Sequence, residues 1–136
     1  MIVGINGCFD VLHLGHIRLL SWAAGPDRII YVGINSDESV RKLKGEGRPI
    51  NTAANRAMML ESIRFVNHVR IFDEPNAANF IRSIRPQLYV KGDAYNWDNI
   101  NAEEKDAINE VGAIVIFAPT LKDMSTTAIL EKIHKL

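Results

Sequence analysis

Two histidines three residues apart frame a glycine in "GCFDVLHLGH" (7–16), in a chain of 136 residues with only four histidines. Where a helix begins over this stretch, His13 and His16 project to one side, because side chains three apart share a helix face. Gly15 between them removes a side chain at a point where a ligand can approach the backbone closely. A pair of satisfied core histidines is the bland alternative, and the polar loop that holds them weighs against it. Half a zinc site is another, but no further Cys, His or carboxylate accompanies the pair at a recognisable spacing. Two imidazoles in one turn, with Asp10 just upstream, suggest a site, and if phosphates bind there, free backbone N–H groups around Gly7 to Asp10 must help to hold them.

Two further stretches could carry chemistry as well. "STT" (125–127) opens the last helical pattern. It reads as an ordinary N-cap or, opposite "HLGH", as a grip on a phosphate. "KLKGEGRP" (42–49) holds Lys42, Lys44 and Arg48 on a glycine-hinged loop. It is either a solvated charged loop or a cationic flap that folds over an anionic substrate. Arg56 follows on the next helix, where a surface arginine is the plain expectation. Cys8 directly follows a strand and reads as a small, partly buried thiol. Neither G-x-G-x-x-G nor G-x-x-x-x-G-K-[ST] occurs, which argues against a dehydrogenase and a Walker-type NTPase.

The elements that must position these residues alternate. Strand-like runs lie at 2–6, 28–34, 68–72, 87–91 and 113–118, and several are apolar almost throughout, as strands covered on both faces are. Helical patterns lie between them, at about 15–24, 37–43, 52–64, 76–84, 102–111 and 125–135. Asn101 can cap the fifth helix, with Glu103 and Glu104 in its first turn and Gly112 closing it. This alternation predicts βαβ units: one Rossmann-like open α/β sheet of about five parallel strands, with helices on both faces. Ligands of such sheets bind outside the carboxyl ends of the strands. The polar, charged and glycine-containing stretches all fall at that edge.

Sixteen basic and sixteen acidic residues balance, which argues against a dedicated nucleic-acid binder. No apolar stretch approaches the roughly 18 residues that suggest a membrane span. The start lacks a signal-peptide pattern and the single cysteine excludes an internal disulfide framework, so a cytoplasmic protein is expected.

With these residues in hand, the chain resembles the HxGH nucleotidyltransferases of the cytidylyltransferase-like group, within one domain spanning 1–136. "NGCFDVLHLGH", "VGINSDESVRKLKGEGRPIN" and "MSTTAI" look like the segments of its D-glycero-β-D-manno-heptose 1-phosphate adenylyltransferase branch. The resemblance implies that a sugar 1-phosphate attacks the α-phosphorus of a nucleoside triphosphate, releasing pyrophosphate without a covalent enzyme intermediate. By resemblance, His13, His16 and Lys44 are catalytic, and Gly7, Phe9, Asp10 and Asp93 join the histidines around the nucleotide. Ser125, Thr126 and Thr127 hold the outer phosphates. Lys44 and Arg56 bind substrate phosphate. Mg²⁺ is the implied cofactor, carried mostly by the nucleotide with Asp10 as its protein contact. In many bacteria this domain is fused to a sugar kinase; a stand-alone transferase, as a homodimer, is the expectation here.

Two departures bear on substrate. The branch shows K-G-G-D-Y after the fourth strand, and "KGDAY" (91–95) brings Asp93 one position early. Glycerol-3-phosphate cytidylyltransferases carry an arginine before the last helix, where this chain has Thr120. The glycerol-phosphate activity with CTP, and a catalytically silent nucleotide-binding scaffold, are the alternatives. Residue types alone do not distinguish ATP from CTP.

Overall fold

Five parallel strands form one sheet in a computed structural model that describes residues 1–121 and 124–136. In chain order the elements are β1 (Ile2–Gly7), α1 (Leu14–Ala23), β2 (Ile29–Asn35), α2 (Asp37–Lys44), α3 (Ala53–Glu61) and β3 (His68–Phe72). After them come α4 (Ala78–Ile84), β4 (Leu88–Gly92), α5 (Ala102–Val111), β5 (Ile114–Ala118) and α6 (Thr126–His134). The strand order β3-β2-β1-β4-β5 puts β1 in the centre, with Ile5 opposite Val32 on one side and Val90 on the other. The chain winds outward from β1 to β3, then crosses back to β4. The order therefore switches between β1 and β4, and a crevice opens at their carboxyl ends.

Alternation along the strands builds two cores. Val3, Ile5, Val32 and Val90 face α1 and α3, packing with Leu20, Ala57 and Leu60. Tyr89, with the half-buried Ile2 and Tyr31, faces α4 and α5, packing with Phe80, Ile81 and Ile108. Each fully buried aliphatic side chain contributes about 1.5–3 kcal/mol, so both faces must stay covered. Gly33 on β2 lets α4 come close, since a Cβ there would lie 2.7 Å from Phe80 Cδ2.

Local punctuation works as the residue types dictate. Asn101 accepts from the N–H groups of Glu103 and Glu104, and Gly112 closes α5 at φ 72°. Ser36, Thr52 and Ser125 cap α2, α3 and α6. The largest difference from the expected bounds is in α3, which stops at Glu61, where Ser62 turns its hydroxyl back onto the Met58 carbonyl. A short 3₁₀ turn, Trp97–Asn99, precedes α5. No helix among the described residues is long and apolar enough to cross a membrane.

Candidate active site

The switch point receives its side chains first from the turn between β1 and α1. Phe9 adopts φ 50°, a rare conformation for a bulky residue, and bends the chain as it leaves β1. Its buried ring lies 5.0 Å from that of His16. His13 caps α1 in extended conformation, and its backbone N–H donates to His16 Nδ1 at 3.2 Å. That bond fixes the tautomer: in the neutral ring Nε2 carries the proton and is free to donate. The two imidazoles stack 3.8 Å apart, inclined by 26°.

Gly15 serves this stack rather than an approaching ligand. A Cβ at Gly15 would lie 2.8 Å from His13 Cε1 and 2.9 Å from His13 Nδ1, so the space is filled by the ring of His13 itself. His13 Nδ1 is buried without a partner among the described residues. Burial pushes the His16 pKa down to about 4, helped by its neighbour His13, and burial lowers His13 too. At neutral pH the pair is therefore a set of uncharged donors and acceptors.

Asp10 corrects an expectation. Its carboxylate is 1% exposed and is occupied by the protein: Oδ2 accepts from Arg48 Nε and the Ile50 N–H, and Oδ1 accepts from the Asn51 N–H. Asn51 Nδ2 donates to the Asp10 carbonyl as well. Asp10 is thus an anchor for the far end of the glycine-hinged loop, with three donors on its two oxygens. Among the described residues no group of three His, Cys, Asp or Glu is arranged to hold a metal ion.

Arg56 corrects a second. It is neither on the surface nor aimed into the crevice: it is 1% exposed and ties three loops together. Nε donates to the Asn51 carbonyl, Nη1 to the Cys8 and Asn35 carbonyls, and Nη2 to Asp37 Oδ1 at 3.0 Å. Its work is to hold the ends of β1 and β2 and the start of α3 in register, out of reach of a phosphate.

Lys44, the last residue of α2, stands exposed at the crevice, followed by Gly45 at φ 96° and Gly47 at φ 87°. Left-handed turns at both positions suit only glycine. On the opposite wall, Ser125 accepts from the Ala128 N–H, and the Thr126 hydroxyl donates to the Val11 carbonyl, fastening α6 to the histidine turn. Asp93 is exposed and lines neither cavity of this site; the Thr120 hydroxyl donates to it and holds its carboxyl below the ordinary range. Cys8 is a partly buried thiol whose pKa burial pushes up, as befits a residue without nucleophilic duty.

Two cavities meet here. The smaller, about 330 Å³, is bounded by His13, His16, Lys44, Arg48, Thr120 and the Ser125–Thr127 turn. The larger, about 720 Å³, is bounded by Gly7, Asn35, Phe72, Lys91, Tyr95 and Glu104. Cys8, Phe9, His16, Leu19 and Lys44 line both. Sequence patterns alone did not single out most of the larger cavity's polar residues. Asn6, Lys91 and Glu104 sit at the ends of apolar runs or in a helix's first turn, positions where polar side chains are ordinary in any α/β chain. A lysine ending the apolar strand "LYVK" was the one available signal.

A crevice at the switch point, a stacked histidine pair and a lysine between two chambers define a class of nucleotide-handling α/β proteins. The cytidylyltransferase-like family pattern matches residues 5–132, and the chain belongs to that family of nucleotidyltransferase enzymes. It is 41% identical over 132 residues to the bifunctional protein HldE of Campylobacter concisus, and 42% identical over 133 residues to that of Wolinella succinogenes. Those alignments take in 97% and 98% of this chain but 27% of each relative, so the chain spans about a quarter of their length. A solved lipopolysaccharide core biosynthesis protein from Thermoplasma volcanium shares the fold, with a TM-score of 0.69 at 24% identity over 90% of this chain and 97% of that one.

Proposed function

We propose that this chain transfers the adenylyl group of ATP to D-glycero-β-D-manno-heptose 1-phosphate, releasing pyrophosphate. The observation that carries the reading is the pair of cavities sharing the wall of His16 and Lys44. A triphosphate in the smaller cavity and a sugar phosphate in the larger would present the α-phosphorus and the attacking oxygen to each other across that wall. An acceptor phosphate oxygen forms the new P–O bond as the bond from the α-phosphorus to its bridging oxygen breaks. Pyrophosphate leaves with the electron pair, and no proton need move.

Catalysis of this kind is positioning and charge stabilisation. His16 Nε2–H and the Lys44 ammonium would donate to the α-phosphoryl oxygens, whose charge grows in the transition state. Arg48, oriented by Asp10, and the open backbone N–H groups of Thr126 and Thr127 would hold the outer phosphates at the N-terminus of α6. Mg²⁺ would enter on the triphosphate oxygens, with the protein supplying shape rather than ligands. The likeness of "KGEGRPIN" to the heptose branch, the HldE relatives and the size of the larger cavity support a sugar phosphate over glycerol phosphate.

The test is pyrophosphate release across four nucleoside triphosphates, each offered with heptose 1-phosphate, mannose 1-phosphate and glycerol 3-phosphate. The reading requires release with ATP and heptose 1-phosphate, dependent on added Mg²⁺. Preferential turnover of CTP with glycerol 3-phosphate, or no turnover at all, overturns it.

A further inference from the structure

Two oppositely charged side chains are buried in the wall of the larger cavity, outside the stretch that it shares with the smaller one. Lys91 is 8% exposed and Glu104 5%. Lys91 Nζ donates to Glu104 Oε1 at 2.8 Å and to Asn6 Oδ1 at 3.2 Å. Glu104 Oε2 accepts from the Ala77 N–H, which completes the carboxylate's pairing. Taking two charges out of water is costly, and such a pair is seldom the most stable filling for its space. Both residues line a cavity wide enough for a substrate, so this pair has an opening to face.

Donor accounting shows what the opening receives. An ammonium has three N–H groups. Two are engaged, and no acceptor among the described residues takes the third, which has the Tyr95 ring face 4.8 Å from Nζ. Asn6 is oriented by the same contact: its Oδ1 accepts from both Lys91 and the Tyr89 hydroxyl, which turns its Nδ2 the other way. No partner for Nδ2 occurs among the described residues, and Asn6 also lines the cavity. Rigidly held donors beside an aromatic ring fit the hydroxyl oxygens and C–H face of a polyol.

We infer that Lys91, held by Glu104 and Asn6, is the specificity-determining residue for the acceptor, reading hydroxyl groups at the end of the sugar remote from its phosphate. This rests on the acceptor reading above, which puts the sugar's phosphate at the shared wall and leaves its body to extend toward Lys91. Selectivity then comes from the penalty of leaving a buried donor unpaired when a shorter acceptor binds.

The experiment compares kcat/KM for heptose 1-phosphate with that for β-D-mannose 1-phosphate, which lacks the seventh carbon and its hydroxyl. The wild-type chain should prefer the heptose by about 10- to 100-fold, the range for a hydrogen bond to a charged group. Lys91→Met with Glu104→Met removes both charges together, so that neither is stranded, and Lys91→Arg keeps the charge. The double variant should bring the ratio to within about threefold of unity through KM for heptose 1-phosphate. Titrated ATP affinity should stay unchanged, and Lys91→Arg should restore part of the ratio. A purely structural pair would lower turnover of both acceptors and leave the ratio intact, which overturns the inference while the acceptor reading stands. Wild-type failure to use either sugar phosphate overturns both.

Discussion

Asp10 Oδ2 lies 3.2 Å from Arg48 Nε, joining the histidine turn to the far end of the glycine-hinged loop across 38 residues of chain. The same carboxylate takes the N–H groups of Ile50 and Asn51, so one buried side chain fixes where the loop lands. The loop's other end is the last turn of α2. Only the segment around Gly45 and Gly47 is left to move, with Lys44 at its hinge and Arg48 at its clasp.

Breaking that clasp should be costly to the fold and to the site at once. Asp10→Ala strands Arg48 and two backbone donors, and should destabilise the chain by about 3 kcal/mol. Urea denaturation gives the stability. Hydrogen exchange should show faster opening at Ile50 and Asn51. Unchanged protection there would mean that the loop is held by something other than Asp10.

Replacing either histidine tests the paired-donor assignment. His13→Ala and His16→Ala should each keep the fold and lower turnover by about 10²–10³, the usual loss of one preorganised donor. Gly15→Ala is the subtler probe. Its methyl would press on His13 Cε1 with the Met124 carbonyl oxygen 3.2 Å away, so the stack must shift. Misplacement by about an ångström can cost about 10²-fold, so turnover should fall steeply even though both imidazoles are present. Normal kinetics in Gly15→Ala would show that the stacking geometry is irrelevant to turnover.

Acid should weaken the fold through His16. Its pKa of about 4 in the folded chain lies below the ordinary 6.5, so between these values the unfolded chain binds a proton that the folded one does not. Stability from this group is therefore full above pH 6.5, and is lost as pH falls toward 4. The loss is at most about 3 kcal/mol. Chemical denaturation from pH 7.5 to 4.5 should show this slope, and His16→Gln should flatten it. A mutant profile parallel to the wild type would assign the slope elsewhere.

Lys44 should act in the transition state more than in binding, because its hinge brings charge to the phosphates as the loop closes. Lys44→Ala should lower kcat much more than it weakens ATP binding measured by calorimetry. Loss of affinity with kcat retained would make Lys44 a simple binding group.

Much of the architecture was legible locally. Apolar runs of strand length, helix caps such as Asn101 and Ser125, and stops such as Gly112 depend on residues within a few positions of each other, so their types sufficed. The same holds for "HLGH": three-residue spacing put His13 and His16 on one face before any fold was known, and the sheet's carboxyl edge followed from alternation.

Side-chain partners over long separations were a different matter. Arg56 looks identical in sequence whether it reaches solvent, a phosphate or four acceptors in the interior. Only the meeting of the β1 and β2 ends with α3 buried it. Asp10 gave no sign in sequence that the returning loop brings three donors to its carboxylate. Lys91 and Glu104, one in a strand and one in the first turn of a helix, became a pair because the start of α5 returns to the end of β4. Residue types and short spacings determined the elements, the histidine pair and the sheet edge where the candidate site lies. The strand order decided which charged groups are buried together and which are left facing the cavities, because burial and pairing depend on neighbours that the chain brings back from far away.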